Sequence, residues 1–368
     1  MFVVAHNGSS ILGGGELGTT HLLAGLQARG HRVLMLCRDR GMAARVGGYG
    51  IPTAVARIGG EAMLPDALRF AWVLRRHRPD ALILTTFKKV FLAALGARLA
   101  RVPRVVQRIV LSGHVPRDAR SRVALRHLVD VVTLNAEGMR TDFLAADRRL
   151  DPAKVRTLYD GIAVPARRGP PGAVRRTLGL PEGARVVGAV ARLAGQKRFD
   201  RLLRAVRLLP PHVHCVLAGE GPHREALERM AEEEGIADRV HFLGFRGDVG
   251  DVLDALDVFV VCSDREGMAN AMLEAMALGV PVLSTPVSGA AEALEPFPDG
   301  RRPGVVVDFD PGEIAGALRR LLDDPEALAG MAAAARERVA TRFGYERWLD
   351  EWESLLTGGQ DVVARSAA

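Results

Sequence analysis

Two glutamates, Glu266 and Glu274, lie eight residues apart in a stretch that follows the apolar run DVFVVCS. Glu266 falls in the loop after this predicted strand, where Gly267 permits a close approach of the backbone. Glu274 lies about two turns along the helix predicted to follow, among apolar residues, and a buried carboxylate there needs a hydrogen-bonding partner. The vicinal hydroxyls of a sugar or a ribose match the two carboxylate oxygens and could be that partner. An exposed helix position is the alternative for Glu274.

Groups that could bind an anion occur at two places in the second half of the chain. The N–H groups of Met268, Ala269 and Asn270 open the predicted helix MANAMLEAMALG and can meet hydroxyls or a phosphate. Arg192 and Lys197 lie five residues apart, just past the apolar run RVVGAV and before the helix FDRLLRAVRLL. Two cations at the carboxyl end of a parallel strand, beside a helix N-terminus, could hold a diphosphate without a metal ion. Solvated charges in a loop are the alternative.

The stretch GGGELG, from Gly13 to Gly18, fits the dinucleotide-binding pattern G-x-G-x-x-G, with Asp39 as the acid that follows. In that fold the first glycine directly follows strand one, whereas here seven residues separate Ala5, at the end of FVVA, from Gly13. A dehydrogenase is therefore disfavoured. The remaining interpretations are a structural loop and a flexible glycine loop before the helix GTTHLLAGL, whose free N–H groups attract an anion.

Short apolar runs alternate with helical patterns along the whole chain, as in α/β proteins. Buried parallel strands are predicted at FVVA (2–5), RVLMLC (32–37), TAVARI (53–58), ALILTT (81–86), RVVQRIVL (104–111) and DVVTLN (130–135), and, after a Gly- and Pro-rich stretch, at RVVGAVARL (185–193), HVHCVLAG (212–219), RVHFLG (239–244), DVFVVCS (257–263), VPVLST (280–285) and GVVVDF (304–309). The pattern predicts two doubly wound, Rossmann-like domains that face a cleft. We expect domains at 1–162 and 163–343, a helix at 344–357 that packs back on the first domain, and a disordered tail at 358–368.

The composition excludes several classes of protein. The chain is 48% hydrophobic and 25% charged, as in ordinary globular proteins, and no apolar run reaches the ~18 residues that cross a bilayer. The N-terminus lacks the basic and long apolar regions of a signal peptide, and the three cysteines have no C-x-x-C spacing. We therefore expect a cytoplasmic protein with reduced, buried thiols.

The positive charge is unevenly distributed. Residues 1–160 contain 25 Lys and Arg against 12 Asp and Glu, a net charge of +13, whereas the remainder has a net charge of −6. Basic residues mix with apolar ones at helical spacing in the stretches that contain Lys88, Lys89, Arg117, Arg120, Arg122 and Arg126. This indicates an anionic partner, which we expect to be the inner face of a membrane rather than a nucleic acid. The alternative is that the apolar residues are core faces and the arginines are merely solvated.

The segment EGMANAMLEAMALGVPVLSTPVSGAAE resembles the E-x7-E motif of retaining glycosyltransferases of family 4, which have the GT-B fold. The resemblance extends along nearly the whole chain. It includes GGGE, VARLAGQKRFDRLLRA, the turn AGEGP (218–222) and HFLGFRGDVGDVLDALDVFVVCSDREG. The hinge segment KVRTLYDGI lies where the family usually has Asn-Gly-Ile or Asn-Gly-Val. The combination is specific, although no piece is specific alone.

The resemblance implies that the second domain holds a nucleotide-diphospho-sugar, most often a UDP-sugar, and that the acceptor lies against the first. By similarity, Arg192 and Lys197 contact the diphosphate, Glu274 binds the ribose hydroxyls and Glu266 binds the transferred sugar. The base is expected near residues 244–246. The full set implied for donor binding is Gly14, Gly15, Arg192, Lys197, Gly244, Phe245, Arg246, Glu266, Gly267, Met268, Ala269, Asn270 and Glu274.

The resemblance also implies retention of anomeric configuration by same-face attack, in which the leaving phosphate oxygen takes the acceptor proton. No side chain stands out as a covalent nucleophile, so we expect Arg192, Lys197 and Glu266 to act through charge and position. His114 matches a histidine that the family often has near the donor sugar, and we expect a supporting role; a solvated loop histidine is the alternative. No metal or cofactor is expected, because the sequence has no His/Cys cluster with the spacing of metal ligands.

Three positions depart from the family pattern. Asp160 replaces the common Asn of the hinge, Met268 stands where Phe is frequent, and SGAAE (288–292) replaces a frequent G-G-x-x-E. The expected acceptor is anionic or lipid-linked, as in building a surface polysaccharide. Three alternatives stay open: a transferase with a soluble small-molecule acceptor, a GT-B sugar-nucleotide epimerase or phosphorylase, and a non-catalytic protein that binds sugar nucleotides or membranes.

Overall fold

The computed structural model describes residues 1–58 and 63–358. Contacts divide the chain into two compact units. The first contains Met1–Gly161 together with the segment that begins at Tyr345, and the second is Ile162–Gly344. The chain therefore leaves the first unit at Gly161 and re-enters it near its C-terminus. The predicted tail at 358–368 lies, apart from Gly358, outside the described residues.

The first unit is built on a parallel sheet with the strand order β3-β2-β1-β4-β5-β6-β7. Its described strands are β1 (Phe2–Asn7), β2 (Arg32–Cys37), β3 (Thr53–Val55), β4 (Ala81–Leu84), β5 (Arg104–Ile109), β6 (Val131–Leu134) and β7 (Val155–Thr157). Strand β7 was not predicted, because its sequence Val-Arg-Thr contains a charged residue and forms no apolar run. Successive strands are added on one side of β1 up to β3 and on the other side from β4 onward, so the strand order reverses between β1 and β4. Open α/β sheets bind ligands at such a reversal point.

Helices cover both faces of this sheet. They are α1 (Gly14–Ala28), α2 (Arg40–Gly47), α3 (Met63–His77), α4 (Val90–Leu99), α5 (Ala119–Val123), which continues into a π-helical turn at Ala124–Leu128, and α6 (Glu137–Ala146). The apolar sides of α3 and α4 pack on one face of the sheet and that of α1 on the other. Alternate residues of each strand therefore enter different core layers, as in buried parallel strands.

The second unit repeats this topology with the strand order β10-β9-β8-β11-β12-β13. Its described strands are β8 (Arg185–Val190), β9 (Val213–Ala218), β10 (Val240–Gly244), β11 (Val258–Val261), β12 (Val282–Ser284) and β13 (Gly304–Val306). Its helices are α7 (Ala173–Thr177), α8 (Phe199–Arg207), α9 (Arg224–Glu233), α10 (Val249–Asp254), α11 (Asn270–Leu278), α12 (Ser288–Ala293), α13 (Pro311–Leu322) and α14 (Pro325–Arg342). The reversal point here lies between β8 and β11. The chain thus contains two doubly wound Rossmann-like domains.

The last described helix, α15 (Tyr345–Thr357), completes the core of the first unit. Trp348 and Trp352 are 2% and 1% exposed and lie in the same apolar cluster as residues of α1. Gly25 makes this packing possible, because a Cβ atom there would lie 2.6 Å from the Leu349 side chain. At the rim, the Arg29 guanidinium forms ion pairs with Glu346, Asp350 and Glu353.

The two basic stretches predicted to rest on a membrane have their apolar residues mainly in the core. In α4 and in the π-helical turn, these buried residues are Val90, Ala93, Ala94, Ala97, Ala124 and Leu125. Lys89 donates to the carbonyl of Ile58 at 2.7 Å, and Arg126 is paired with Asp147. These stretches therefore offer less apolar surface to a bilayer than the sequence pattern predicts, and contact of the first unit with a membrane stays a prediction. Within residues 1–58 and 63–358, no helix is long and apolar enough to cross a membrane.

Candidate active site

In the second unit, four candidate residues follow the two neighbouring strands at the reversal point. Arg192 and Lys197 come after β8, Glu266 comes after β11, and Glu274 lies on the helix α11 that follows. Strands β8 and β11 are hydrogen-bonded neighbours, with Val187 opposite Val258. Because both strands are parallel, their carboxyl ends meet at the same edge of the sheet, where ligands of open α/β sheets bind.

Lys197 and Glu266, which are 69 residues apart in the chain, form an ion pair. The Ser263 hydroxyl donates to the same carboxylate oxygen, Oε1, at 2.8 Å, and the Glu266 residue is only 7% exposed. The two loops are also joined through the backbone, where the N–H of Asp264 donates to the carbonyl of Gln196 at 2.9 Å. The fold therefore places a cation and a carboxylate in one spot, each held by its own strand end.

Arg192 is exposed, and its side chain has no hydrogen bond or ion pair with any described residue. Nearby arginines differ: Arg198 pairs with Asp200 and Asp264, and Arg201 lies 2.7 Å from Asp264. The charge of Arg192 is thus not compensated by the described protein. A guanidinium in this situation can bind an oxyanion without first breaking an internal contact.

Helix α11 begins at Asn270, two residues later than predicted, because Ala269 is still extended with ψ 106°. Met268 therefore precedes the helix, and its side chain is buried at 5% exposure. Glu274 is half-buried with no hydrogen-bonding partner among the described residues. Burial raises the pKa of its carboxyl above the ordinary value. A ligand hydroxyl would supply the missing partner.

The loop after Glu266 packs directly on the segment SGAAE. The N–H of Gly289 donates to the carbonyl of Gly267 at 2.8 Å, and a Cβ atom on Gly289 would lie 2.1 Å from that oxygen. Any side chain at Gly289 would force the two loops apart. This departure from the family pattern therefore keeps a glycine where the close approach requires one.

The segment predicted to hold a base follows strand β10. Gly244 has φ +67°, a left-handed conformation that favours glycine, and Phe245 is 78% exposed. The Arg246 guanidinium is paired with Asp248, its Nε lying 2.7 Å from the carboxylate. Because that charge is already neutralised, the exposed ring and the backbone are the groups that this segment offers to a ligand.

In the first unit, the glycine segment has a different shape from the one predicted. Strand β1 continues to Asn7, and α1 already begins at Gly14, so Gly14 and Gly15 form its first turn rather than a preceding loop. The Glu16 carboxylate accepts a hydrogen bond from the N–H of Gly13 at 3.1 Å. A Cβ atom on Gly15 would lie 2.7 Å from the Val110 side chain. Gly15 thus allows close packing at the start of α1, whereas a Cβ atom on Gly14 would meet nothing within 4 Å.

Asp39, the acid of the apparent dinucleotide pattern, caps helix α2. Its carboxylate accepts a hydrogen bond from the N–H of Met42 at 2.8 Å. His114 follows β5, and its ring stacks on that of Phe87, which follows the neighbouring strand β4, with 5.7 Å between centroids. His114 is therefore a half-buried, stacked side chain rather than a freely solvated one. In the part of the chain that the structure describes, no group of three or more His, Cys, Asp and Glu residues could hold a metal ion.

A buried network at the first turn of α1 was missed in the sequence. The Arg108 guanidinium lies 2.6 Å from the Asp160 carboxylate and donates to the carbonyl of Gly15 at 3.0 Å. Asn135 donates to the other oxygen of Asp160 at 2.7 Å. The signal was present, because a charged residue inside the apolar run RVVQRIVL needs a partner when buried. The network also explains why Asp160 is a carboxylate where Asn is common.

Family comparisons agree with this architecture. Residues 173–338 match the family described as Glycosyl transferases group 1, and residues 13–122 match the Glycosyl transferase 4-like domain. The crystal structure of HepE from Anabaena in complex with UDP and glucose has the same fold, with a TM-score of 0.83 and 22% identity. That similarity covers 97% of this chain and 100% of HepE. Both units therefore have the domain fold of GT-B glycosyltransferases.

Two curated relatives are similar over different lengths. The 2-deoxystreptamine glucosyltransferase of Streptomyces kanamyceticus is 30% identical over 315 residues, 77% of this chain and 79% of the relative. The lipopolysaccharide core biosynthesis glycosyltransferase LpsD of Rhizobium meliloti is 33% identical over 195 residues, 53% of this chain and 55% of LpsD. The match thus spans only about half the length of LpsD. Taken with the repeated Rossmann-like topology and the charged groups at the reversal point of the second sheet, these similarities show that the chain belongs to the group 1 glycosyltransferases.

Proposed function

We propose that the protein is a retaining glycosyltransferase of family 4 that transfers a sugar from a UDP-sugar to an acceptor hydroxyl. The observation that carries the proposal is a group of charges at one sheet edge: the Lys197–Glu266 pair, with Arg192 and Glu274, which have no partner among the described residues. It offers cations for a diphosphate and carboxylates for hydroxyls, the two kinds of group that a nucleotide-diphospho-sugar contains. HepE, a structural neighbour, is a protein whose crystals contain UDP and glucose.

The proposed reaction needs no covalent intermediate. The acceptor oxygen forms a bond to the anomeric carbon on the face from which the diphosphate leaves, the bond from that carbon to the phosphate oxygen breaks, and the acceptor proton passes to that phosphate oxygen. Arg192 and Lys197 stabilise the charge that develops on the diphosphate. Glu266 holds the transferred sugar and Glu274 the ribose. We expect the reaction to proceed without a metal ion.

We propose an acceptor that is lipid-linked or otherwise anionic, used at the cytoplasmic face of a membrane. The net charge of +13 in residues 1–160 favours such an acceptor, and relatives such as LpsD are named for lipopolysaccharide core biosynthesis. A soluble acceptor is the second candidate. It is favoured by the relative with the longer match, which is named for glucosylation of 2-deoxystreptamine.

A panel of sugar nucleotides tests the donor. A ligand at about 100 times its Kd should raise the free energy of unfolding by about 2.7 kcal/mol, so thermal shift will single out the base and the sugar. The selected donor is then incubated with lipid-linked and soluble acceptors, with and without EDTA, and the anomeric configuration of the product is determined by NMR. An inverted product would contradict the retaining mechanism. The absence of stabilisation by any sugar nucleotide would contradict the proposed function.

A further inference from the structure

Helix α3 has two apolar sides. The side that packs against the sheet is filled by residues that are at most 2% exposed, namely Ala67, Phe70, Ala71 and Leu74. A second stripe faces solvent: Leu64, Leu68 and Trp72, spaced four residues apart, are 59%, 52% and 63% exposed. Surface helices of globular proteins normally carry polar residues on the side away from the core. An exposed apolar stripe of this kind marks an interaction surface.

Arginines surround the stripe. Arg69 and Arg76 lie beside Trp72 on the helix, Arg75 lies at its C-terminal end, and all three are exposed. The Arg76 guanidinium lies 5.8 Å from the centre of the Trp72 ring. In the described part of α3 the single acid, Asp66, is 7% exposed and lies 3.8 Å from the Arg69 guanidinium. A contact with anions therefore depends on Arg57 and Arg76. The exposed side of the described helix therefore carries apolar side chains and arginines, and none of its exposed residues is acidic.

Trp72 also forms a wall of a shallow cavity of about 300 Å³ beside the helix. Arg57 and Arg69 are among its lining residues, together with the apolar residues Val55, Phe70 and Val73. Guanidinium groups match phosphate oxygens with paired hydrogen bonds. A cavity lined by two arginines and by apolar side chains therefore suits an amphiphile in which a phosphate adjoins hydrocarbon.

We propose that this surface, formed by Leu64, Leu68, Trp72 and the adjoining arginines, docks on a bilayer with anionic headgroups. The three apolar side chains enter the boundary between headgroups and acyl chains, and the arginines meet the phosphates. Charge disfavours a second copy of the chain, because a symmetric contact would bring the same arginines together. The inference specifies the membrane contact proposed above and is independent of glycosyl transfer.

The position of α3 suits this role. Its buried side contacts the end of β1, where the Phe70 ring lies 5.1 Å from the His6 ring. His6 is followed within two residues by the loop that leads into the first turn of α1. Helix α3 thus belongs to the unit against which we expect the acceptor and packs on the strand that leads towards the glycine segment.

Tryptophan fluorescence tests the surface in the unmodified protein. The chain has three tryptophans, of which Trp348 and Trp352 are buried, so a change on vesicle binding reports Trp72. The protein is mixed with vesicles of phosphatidylcholine, with or without phosphatidylglycerol, that carry brominated acyl chains. We expect co-sedimentation with the anionic vesicles at low salt, loss of binding at high salt, and quenching of Trp72. No binding to anionic vesicles, or binding without quenching, would overturn the inference.

Matched variants locate the contact. Arg57→Gln and Arg76→Gln should each weaken vesicle binding about fivefold, and Leu68→Ser with Trp72→Ser should abolish it. The controls are Leu208→Ser, at a residue 49% exposed in the second unit, and the exposed pair Arg117→Gln with Arg120→Gln, all of which should bind normally. All these side chains are exposed, so thermal unfolding should change little.

Three results would overturn the assignment: normal binding by the double serine variant, loss of binding in the Arg117 and Arg120 control, or Trp72-dependent self-association in sedimentation without vesicle binding. The assignment would also be overturned if this protein did not bind vesicles but bound an acidic protein through Trp72. Sugar-nucleotide binding is measured on the same samples. If vesicles bind and no sugar nucleotide does, the proposed function fails while this surface stands.

Discussion

At the scale of single residues, the charged groups at the ends of β8 and β11 fall into two kinds. Lys197 and Glu266 are committed to each other, whereas Arg192 and Glu274 have no partner among the described residues. Substitutions at the first pair therefore disturb the folded protein as well as any ligand. Substitutions at Arg192 and Glu274 break no hydrogen bond or ion pair with a described residue, so a loss of ligand binding there is easier to attribute to the ligand.

Arg192→Ala should reduce donor use by about 10²-fold without lowering the melting temperature. The substitution removes a cation that we propose to stabilise the leaving diphosphate, and it breaks no ion pair with a described residue. The matched control is Arg229→Ala, at an exposed arginine of α9. Steady-state kinetics with the selected donor and thermal melts of both variants provide the measurement. Equal turnover of the Arg192 variant and the wild type would exclude a role in donor binding.

Glu274→Gln should stabilise the protein near neutral pH while weakening nucleotide binding. Because burial raises the pKa of Glu274, the folded protein favours the protonated carboxyl. In the unfolded chain the pKa of this carboxyl has its ordinary value of 4.5. As the pH rises above that value, ionisation of Glu274 therefore lowers the free energy of unfolding. Denaturant unfolding from pH 4 to 7 should give the variant a higher free energy of unfolding than the wild type, and this difference should increase with pH. Calorimetry with UDP should show weaker binding, and unchanged UDP binding would contradict the assignment of Glu274 to the ribose.

At the scale of elements, close packing of glycines fixes where helices and loops meet. Gly25 lets α15 lie on α1, and Gly289 lets the start of α12 contact the loop after Glu266. Gly15 lies against Val110 at the first turn of α1, the turn that Arg108 and Asp160 also hold. In each case the missing side chain is the reason that two segments distant in the chain can touch.

Gly25→Ala should destabilise the protein by about 1–3 kcal/mol, because the new methyl group would overlap Leu349 and the Tyr345 hydroxyl. Gly47→Ala is the matched control, since a Cβ atom at the end of α2 would meet nothing within 4 Å. It should be neutral or stabilise by about 0.5–1 kcal/mol. Urea unfolding of both variants gives the comparison. A neutral Gly25→Ala variant would show that α15 is not held closely against α1.

At the scale of the whole molecule, chain order and structural order differ. The first unit needs a helix that is synthesised after the entire second unit, and its core includes Trp348, Leu349, Trp352, Leu355 and Leu356 of that helix. The second unit is continuous from Ile162 to Gly344. Truncation at the C-terminus should therefore affect the unit that contains the N-terminus.

A chain that ends at Gly344 should lose the stability of the first unit and keep that of the second. The truncation uncovers apolar residues of α1 and of the sheet that α15 covers. Trp352→Ala is a milder version and should cost about 3–5 kcal/mol, whereas Thr357→Ala, at an exposed end of the helix, should cost little. Hydrogen exchange read strand by strand provides the measurement. Retained protection in β1–β6 of the truncated chain would contradict this role for α15.

The sequence alone was sufficient to predict the alternation of strands and helices and the two Rossmann-like domains. It also predicted that most candidate site residues lie in loops that follow strands. These features depend on local periodicity, which reports which side of a segment is apolar. Boundaries were less accurate: α11 begins at Asn270 rather than 268, and α1 includes Gly14 and Gly15. The turn geometry at these points depends on contacts with distant segments, such as the bond between Gly289 and Gly267.

Only the tertiary structure decided which groups meet. The pairs Lys197–Glu266 and Arg108–Asp160 join residues 69 and 52 positions apart, and no periodic pattern links them. Periodicity also cannot say whether an apolar side is covered. The sequence pointed to α4 and to the segment around Arg117–Arg126 as the exposed apolar surface, but neighbouring elements bury much of both, whereas nothing in the described chain covers Leu64, Leu68 and Trp72 of α3. Burial is a property of what packs around a segment, and that is set by the fold as a whole.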